Sequence, residues 1–169
     1  MELLTSAIEP DFKKGGWYLN RTVTVPGQIP RGHPAYNVME AFGGLKIGHS
    51  GTGEECACSD IEFDGCSDED EDIEAWQALL MTKFVGLGTS HHGHEQLWLD
   101  GEARLFSSCL VAPGVLFLGD SFSEGIEKLL RGRRGQPMLL SPEEKVMAWG
   151  EWFTRDDDTV LTPDSFTVR

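Results

Sequence analysis

One short stretch near the middle of the chain constrains the fold most strongly. Two strand-forming segments, Leu97-Trp98-Leu99 and Arg104-Leu105-Phe106, flank a connection that begins with Asp100-Gly101. Apolar segments on both sides of an Asp-Gly turn signal are typical of a β-hairpin. Because a hairpin is an antiparallel pair, we expect an antiparallel sheet and not a series of parallel βαβ units.

Other segments predict further helices and strands. Helices are predicted, from apolar spacing or start signals, at residues 1–12, 35–42, 73–80 and 121–131. Strands are predicted at residues 22–25, 45–47, 61–64 and 115–118. Together they predict an α+β fold with a single central, mainly antiparallel sheet and flanking helices.

Two segments are predicted to lack regular structure, and the C-terminal region is predicted to be helical. The polar stretch 48–59 and the Gly- and His-rich stretch 85–95 read as loops. Ser141-Pro142 followed by two glutamates is a helix start signal, and Val146, Trp149 and Phe153 would share one helix face. We therefore expect a helical extension and tail over residues 141–169.

The charge of the chain restricts its partners. The 169 residues include 28 acidic and 14 Lys or Arg residues, giving a formal net charge of -14. Such a charge disfavours nucleic acid and anionic membranes, because both are bound by neutralising phosphates with Lys and Arg. It attracts basic proteins, although simple solubility explains it equally well.

The acidic residues are concentrated in one part of the sequence. Eleven of the 28 acids lie between Glu54 and Glu74, and Asp68 to Asp72 form an uninterrupted run before the predicted Trp76 helix. The run has a structural interpretation, since Ser67 would cap this helix and the acids would face its positive end. The alternative is a partner-binding surface. Its candidate residues are Glu62, Asp64, Asp68, Glu69, Asp70, Glu71 and Asp72.

Cysteines and histidines offer a metal-binding alternative. Cys56, Cys58 and Cys66 lie close together in sequence, and His91, His92 and His94 follow about 25 residues later. Zinc takes four ligands of these types. However, Cys-x-Cys is a weaker signal than paired Cys-x-x-Cys motifs, so we expect an acidic loop and a His-rich loop without a resident metal.

Enzymatic chemistry has little support in the sequence. Gly119-Asp120-Ser121 resembles a hydrolase motif, but no histidine follows Ser121 to serve as its base. Ser121 and Glu124 fit a helix capping box better. The Gly pairs do not have phosphate-loop spacing. We expect a chain that is not an enzyme and needs no cofactor.

The expected location is the cytoplasm. No stretch approaches the roughly 20 apolar residues of a membrane span. The start Met1-Glu2-Leu3-Leu4 lacks the features of a signal peptide. In that compartment the four cysteines are expected to remain reduced.

The order of these pieces resembles a known family. The pieces are Gly16-Trp17 with Arg21, Phe42-Gly43-Gly44-Leu45, the acidic stretch before Trp76, residues 97–101, Arg104-Leu105-Phe106, and Leu118-Gly119 before a helix that closes on Leu129-Leu130-Arg131-Gly132. This ordered set resembles the SUKH immunity-protein superfamily, its third subgroup in particular, over about residues 1–140. Residues 141–169 lie beyond it.

The resemblance implies both a fold and a function. It implies a SUKH-like α+β domain in a cytoplasmic bacterial protein that binds a polymorphic toxin, often a nuclease or deaminase, and neutralises it by occlusion. The partner would be a toxin protein, which we expect to be basic. A SUKH-like adaptor that binds an endogenous protein is the first alternative. A zinc-binding protein that uses the Cys and His clusters is the second.

Overall fold

The computed structural model describes residues 3–65 and 70–167, and within these ranges the chain forms five helices and nine strands. The helices are α1 (Glu9–Lys14), α2 (Pro34–Phe42), α3 (Glu71–Leu80), α4 (Phe122–Arg131) and α5 (Asp164–Thr167). The strands are β1 (Lys46–Thr52), β2 (Ala57–Glu62), β3 (Val85–Ser90), β4 (Glu95–Leu99), β5 (Leu105–Cys109), β6 (Val115–Gly119), β7 (Gln136–Met138), β8 (Lys145–Ala148) and β9 (Glu151–Thr154).

The first seven strands form one sheet with a simple order. Strands that follow each other in sequence lie side by side, from β1 to β7, and each pairing is antiparallel. Helix α3 lies in the connection between β2 and β3, and α4 lies between β6 and β7. The predicted α+β fold with a mainly antiparallel sheet is confirmed. Strands β8 and β9 form a separate hairpin.

The hairpin predicted around Asp100 is β4 and β5. The Asp100 side chain is fully buried, and its Oδ1 accepts hydrogen bonds from the backbone N–H groups of Glu102 and Arg104, both at 2.9 Å. Its Oδ2 lies 2.6 Å from Nη2 of Arg104. This buried ion pair closes the turn. Asp100 therefore stabilises the connection through its side chain, and it is also the first residue of the Asp-Gly signal that predicted the turn.

The sheet is covered on both faces, and β4 shows how. Leu97 and Leu99 point into a core that also contains Phe12 of α1, Phe42 of α2 and Phe122 of α4. Because successive side chains of a strand point to opposite faces, Trp98 points the other way. It joins a second core, whose further members include Trp76 of α3, Phe106 and Leu161. A strand buried on both sides accounts for the unbroken apolar run in the sequence.

Residues of the first two family-like pieces contact each other directly. Nη1 and Nη2 of Arg21 donate hydrogen bonds to the carbonyl oxygens of Ala41 and Gly43 at 2.7 and 2.8 Å. The ring of Trp17 lies 6.4 Å from that of Phe42, measured between centroids. Arg21 therefore satisfies carbonyl groups that the end of α2 leaves without helical partners. These family-like residues hold the scaffold together.

The segment between Arg21 and α2 contains no strand, so the strand predicted at residues 22–25 is wrong. Its backbone runs along α2, where the N–H of Val23 donates to the carbonyl of Glu40 at 2.9 Å. The segment ends at His33, which caps α2. Nδ1 of His33 accepts from the N–H of Ala35, and Nε2 lies 2.9 Å from the carbonyl oxygen of Lys83. A local β preference is thus overridden by tertiary contacts.

The two predicted loops form strands instead. Residues 48–59 contribute to the β1–β2 hairpin, and residues 85–95 contain β3 and the start of β4. One of the glycines that suggested a loop has a packing role. A Cβ atom at Gly88 would lie 1.9 Å from the carbonyl oxygen of Glu62, so only glycine allows β2 and β3 to approach. The first helix also begins later than predicted, at Glu9, with Pro10 in its first turn.

The predicted C-terminal helix is wrong as well, because residues 145–154 form the β8–β9 hairpin. Val146 and Ala148 are buried while Met147 is exposed, which is the period of a strand. Trp149 and Gly150, the two connecting residues, both have positive φ, at 51° and 78°. Two such residues form a type I′ turn, which matches the twist of paired strands. The spacing of Val146, Trp149 and Phe153 fits a helix only by coincidence.

The chain continues after this hairpin along the outer edge of the sheet. The N–H of Leu161 donates to the carbonyl of Pro137 at 2.8 Å, and the N–H of Leu139 donates to the carbonyl of Leu161 at 2.9 Å. This segment covers the β7 edge. Across residues 3–65 and 70–167, no helix has both the length and the apolar character that crossing a bilayer requires.

Candidate partner-binding surface

The first candidate residues lie at the start of α3, where two acids have structural roles. Asp70 is the N-cap of the helix, and its Oδ1 accepts from the N–H groups of Asp72 and Ile73, both at 3.1 Å. The cap had been predicted at Ser67, which lies outside the described residues. Oδ2 of Asp72 accepts from the N–H of Gly114 at 3.2 Å and so connects α3 to the loop before β6. Part of the acidic run therefore stabilises the fold.

The structure separates the remaining candidate acids into paired and open groups. Glu62 lies on β2, and its carboxylate pairs with the ammonium group of Lys46 on β1. Asp64 and Glu71 are exposed, and within the described part of the chain no ion pair or hydrogen bond occupies their carboxylates. Among the described candidate acids, these two are the ones whose carboxylates remain open.

Asp64 also lines a cleft of about 410 Å³ between α3 and the start of β3. Glu74 of α3 and Lys83 line the same cleft, so its walls carry both signs of charge. Two more candidates, Asp68 and Glu69, lie outside the described residues.

The basic cluster of Arg131, Arg133 and Arg134 neutralises a second group of acids. Nε and Nη2 of Arg133 contact both carboxylate oxygens of Glu54, at 2.7 and 3.2 Å. This hydrogen-bonded pairing lowers the pKa of Glu54 and raises the pKa of Arg133. Arg133 also pairs with Glu127, and Nη2 of Arg134 lies 3.0 Å from Glu151. Glu54, beside the β1–β2 turn, is therefore compensated within the chain.

The described cysteines and histidines do not assemble a metal site. Within residues 3–65 and 70–167, no group of three or more potential metal-binding side chains converges. Cys56 lines a cleft of about 350 Å³ together with His91, but His92 pairs with Asp60. Burial raises the pKa of Cys56, which favours the thiol over the metal-binding thiolate. Cys66 lies outside the described residues, so the zinc hypothesis gains no support from the rest of the set.

An exposed apolar patch borders the start of α3, and the sequence did not predict it. We define the apolar patch as the exposed apolar residues of two neighbouring segments, which are Leu110 and Val111 of the β5–β6 loop and Met147 and Trp152 of the β8–β9 hairpin, at 55%, 74%, 42% and 58% exposure. The two segments are neighbours because Ala112 of the loop and Met147 line the same cleft. Asp72 lines one cleft of about 230 Å³ together with Met147 and Trp152. Exposed apolar residues bordered by acidic ones are a composition expected of a protein-binding surface.

The patch could have been found from the sequence only by recognising the second hairpin. Alternation from Val146 to Ala148 and the glycine at position 150 were the available signals. Interpreted as a strand and a turn, they place Met147 outward. Nothing in the sequence, however, places the hairpin beside the β5–β6 loop.

Comparison with known protein families shows which family the chain belongs to. The family model of the SUKH-3 immunity protein matches residues 6–132, about three quarters of the sequence. The chain belongs to the SUKH-3 immunity protein family. The predicted third subgroup of the superfamily is thereby confirmed. No curated protein and no solved structure matches the chain.

The matched SUKH-3 segment ends directly after α4. The apolar patch is therefore formed partly by this segment and partly by residues that follow it. The SUKH-3 segment contains the start of α3 and the β5–β6 loop with Leu110 and Val111. Met147 and Trp152 come from the hairpin that follows it. Half of the apolar patch thus lies on the family domain and half on the additional hairpin.

Proposed function

We propose that this chain is an immunity protein that binds a bacterial polymorphic toxin and neutralises it by occlusion in the cytoplasm. The observation that carries the proposal is the match of the SUKH-3 immunity model to residues 6–132. In this proposal the chain acts by binding and not by catalysis, and the toxin is a nuclease or a deaminase.

The charge of the chain supports a basic partner. A nuclease must neutralise phosphates with Lys and Arg, so its active-site surface is positively charged. A chain with a formal net charge of -14 attracts such a surface and accelerates the encounter. Binding to the basic surface would exclude the substrate at the same time.

We place the partner at the start of α3 and on the adjoining apolar patch. Asp64 and Glu71 supply open carboxylates there. Glu62, Asp70 and Asp72 add to the local negative potential although they also hold the fold, and Asp68 and Glu69 belong to the same acidic run. The apolar patch provides the area whose burial stabilises the complex.

Co-expression is the first test. We expect that the chain restores growth of cells producing the toxin encoded beside its gene, and that the two proteins purify as a stable complex. Loss of both results would contradict toxin immunity and favour the adaptor alternative. Rescue without a complex would contradict occlusion.

Charge reversal tests the placement of the partner. The double variant Asp64→Lys/Glu71→Lys should slow association with the toxin about tenfold at low salt and weaken its salt dependence. The matched control is Asp156→Lys/Asp158→Lys, which reverses two exposed acids in the loop after β9. Equal slowing in both variants would show that only the overall charge matters, and the placement at α3 would be wrong.

A further inference from the structure

A small pocket lies under the β8–β9 hairpin, beside the start of β4, the end of β5 and the start of β6. Its volume is about 180 Å³. Its apolar walls include Leu116, Val146, Ala148 and Trp149, and Glu95 is the only charged residue among its described lining residues. We call it the hairpin pocket. A cavity of about 150 Å³ accommodates a benzene ring, so this space suits one side chain.

Glu95 holds an incompletely compensated carboxylate at the pocket. It is the first residue of β4, and its Oε2 accepts a hydrogen bond from the Ser90 hydroxyl at 3.1 Å. Within the described ranges, no Lys or Arg forms an ion pair with it. Burial raises the pKa of Glu95, while the nearby imidazoles of His91 and His94 lower it. The Glu95 side chain is half-buried and also lines the neighbouring cleft of about 350 Å³ with Arg133 and Arg134, neither of which forms an ion pair with it. A cation placed beside its carboxylate would relieve part of the cost of desolvating it.

The aromatic wall of the pocket already interacts with a cation on one side. The guanidinium carbon of Arg134 lies 5.1 Å from the ring centroid of Trp149. The charge of Arg134 is compensated by Glu151, at 3.0 Å. In the described part of the chain no ion pair joins Arg134 to Glu95, although both residues line the cleft of about 350 Å³. Cations are attracted to the faces of indole rings, so Trp149 suits a pocket that receives a positively charged group.

The rim of the pocket indicates that the positive group belongs to a protein. Met147 lines the pocket and is also part of the apolar patch, and the β5–β6 loop carries both the pocket residue Ala112 and the exposed Val111. A partner large enough to bury both the charged pocket and its apolar rim gains binding free energy from each of them. A second copy of this chain is a poor occupant, because two chains of net charge -14 repel each other.

We propose that the hairpin pocket receives a lysine or arginine side chain of the partner protein, with the Glu95 carboxylate as its counter-ion and Trp149 as its aromatic wall. This rests on the proposed function for the identity of the partner. It assigns specificity jointly to Glu95, inside the matched SUKH-3 segment, and to Trp149 of the hairpin outside it.

The pocket can be tested without the toxin by titrating the labelled chain with n-butylguanidinium and following backbone amide and indole N–H signals by NMR. We expect shifts centred on Glu95 and on the indole of Trp149. n-Butylurea, which has nearly the same shape and no charge, should bind about tenfold more weakly, and Glu95→Gln should weaken guanidinium binding by a similar factor. Equal shifts with both probes, or shifts centred on the acids of α3, would overturn the proposal.

The toxin complex then separates this proposal from the proposed function. Glu95→Gln should accelerate dissociation of the toxin at least about tenfold, whereas the control Glu144→Gln, at an exposed acid before β8, should not. If Glu95→Gln binds the toxin as tightly as the wild-type chain, the pocket is wrong and immunity stands. If the wild-type chain binds the guanidinium in the pocket but not the toxin, immunity is wrong and the pocket remains a site for a basic side chain.

Discussion

The SUKH-3 segment and the β8–β9 hairpin use their side chains in opposite ways. In the SUKH-3 segment, residues that resemble the family are engaged internally: Arg21 binds carbonyls at the end of α2, and Asp100 pairs with Arg104. In the hairpin, Met147 and Trp152 remain exposed, and Trp149 borders a pocket. The ordered motif therefore identifies a scaffold, while the features suited to binding come from other residues of the matched segment and from the hairpin that follows it.

The largest expected effect comes from removing the buried ion pair of the scaffold. Asp100→Ala should lower the free energy of unfolding by about 3–5 kcal/mol, because it leaves Arg104 buried without its counter-charge. Urea unfolding measures this change. Glu102 offers a matched control, since it contacts the same arginine from an exposed position and its replacement by Ala should cost under about 0.5 kcal/mol. Similar losses in both variants would mean that burial does not distinguish the two contacts.

The next largest effect should distinguish the stability of the hairpin from that of the scaffold. Gly114 has φ +150°, and a Cβ atom there would lie 3.1 Å from Cγ2 of Val146 on β8. Gly114→Ala should therefore weaken the docking of the hairpin by about 1–3 kcal/mol. We expect hydrogen exchange of the amides at 145–154 to accelerate while those of β4 and β5 change little.

A control glycine makes this comparison quantitative. At Gly27 an added Cβ would meet nothing within 4 Å, so Gly27→Ala should change neither set of amides. If Gly114→Ala accelerates exchange in β4 and β5 as much as in the hairpin, the two regions unfold as one unit and the contrast between them is lost.

A smaller effect tests which acids of α3 belong to the scaffold. Asp70→Ala removes the N-cap and should cost about 1 kcal/mol in thermal or urea unfolding. Asp70→Asn keeps a capping oxygen while removing the charge, so its stability should change by only a few tenths of a kcal/mol. Equal losses in both variants would show that charge, and not the capping hydrogen bonds, stabilises the start of α3.

The smallest effect concerns pH and the hairpin pocket. Because burial raises the pKa of Glu95, the folded chain binds this proton more tightly than the unfolded chain does. The free energy of unfolding therefore falls as pH rises from about 4.5 through the raised pKa. The stability of Glu95→Gln relative to wild type should increase over this window and then level off. Denaturation at a series of pH values measures it, and a pH-independent difference would contradict a raised pKa.

The elements predicted well were those whose signals are local. Ser121 accepts from the N–H of Glu124 as the cap of α4, and Gly132 follows its end, as the sequence indicated. The hairpin at Asp100 was predicted for the same reason, since its turn residues act within five positions. Caps and turns depend on backbone groups close in sequence, so their chemistry is readable from the sequence.

The errors arose where distant residues decide the structure. The glycines of β3 looked like a loop, yet Gly88 is required by the close approach of Glu62 on another strand. The candidate partner acids were identified by charge alone, and the sequence could not show that Glu62 pairs with Lys46. The hairpin pocket could not be predicted from the sequence for the same reason, because Glu95, Leu116 and Trp149 come together only when the hairpin packs against the sheet.

The fixed ends of the loop before α2 have a consequence for natural variation in length. Arg21 is anchored to α2 by two hydrogen bonds, and His33 is anchored to α2 and to Lys83. The residues between them span two fixed points without contributing a strand to the sheet. Doubling such a loop costs only about 0.6 kcal/mol in closure entropy. Insertions at the exposed positions 30–32 should therefore be tolerated, whereas Val23, which is bonded to Glu40, and the buried Ile29 fix the earlier part of the segment.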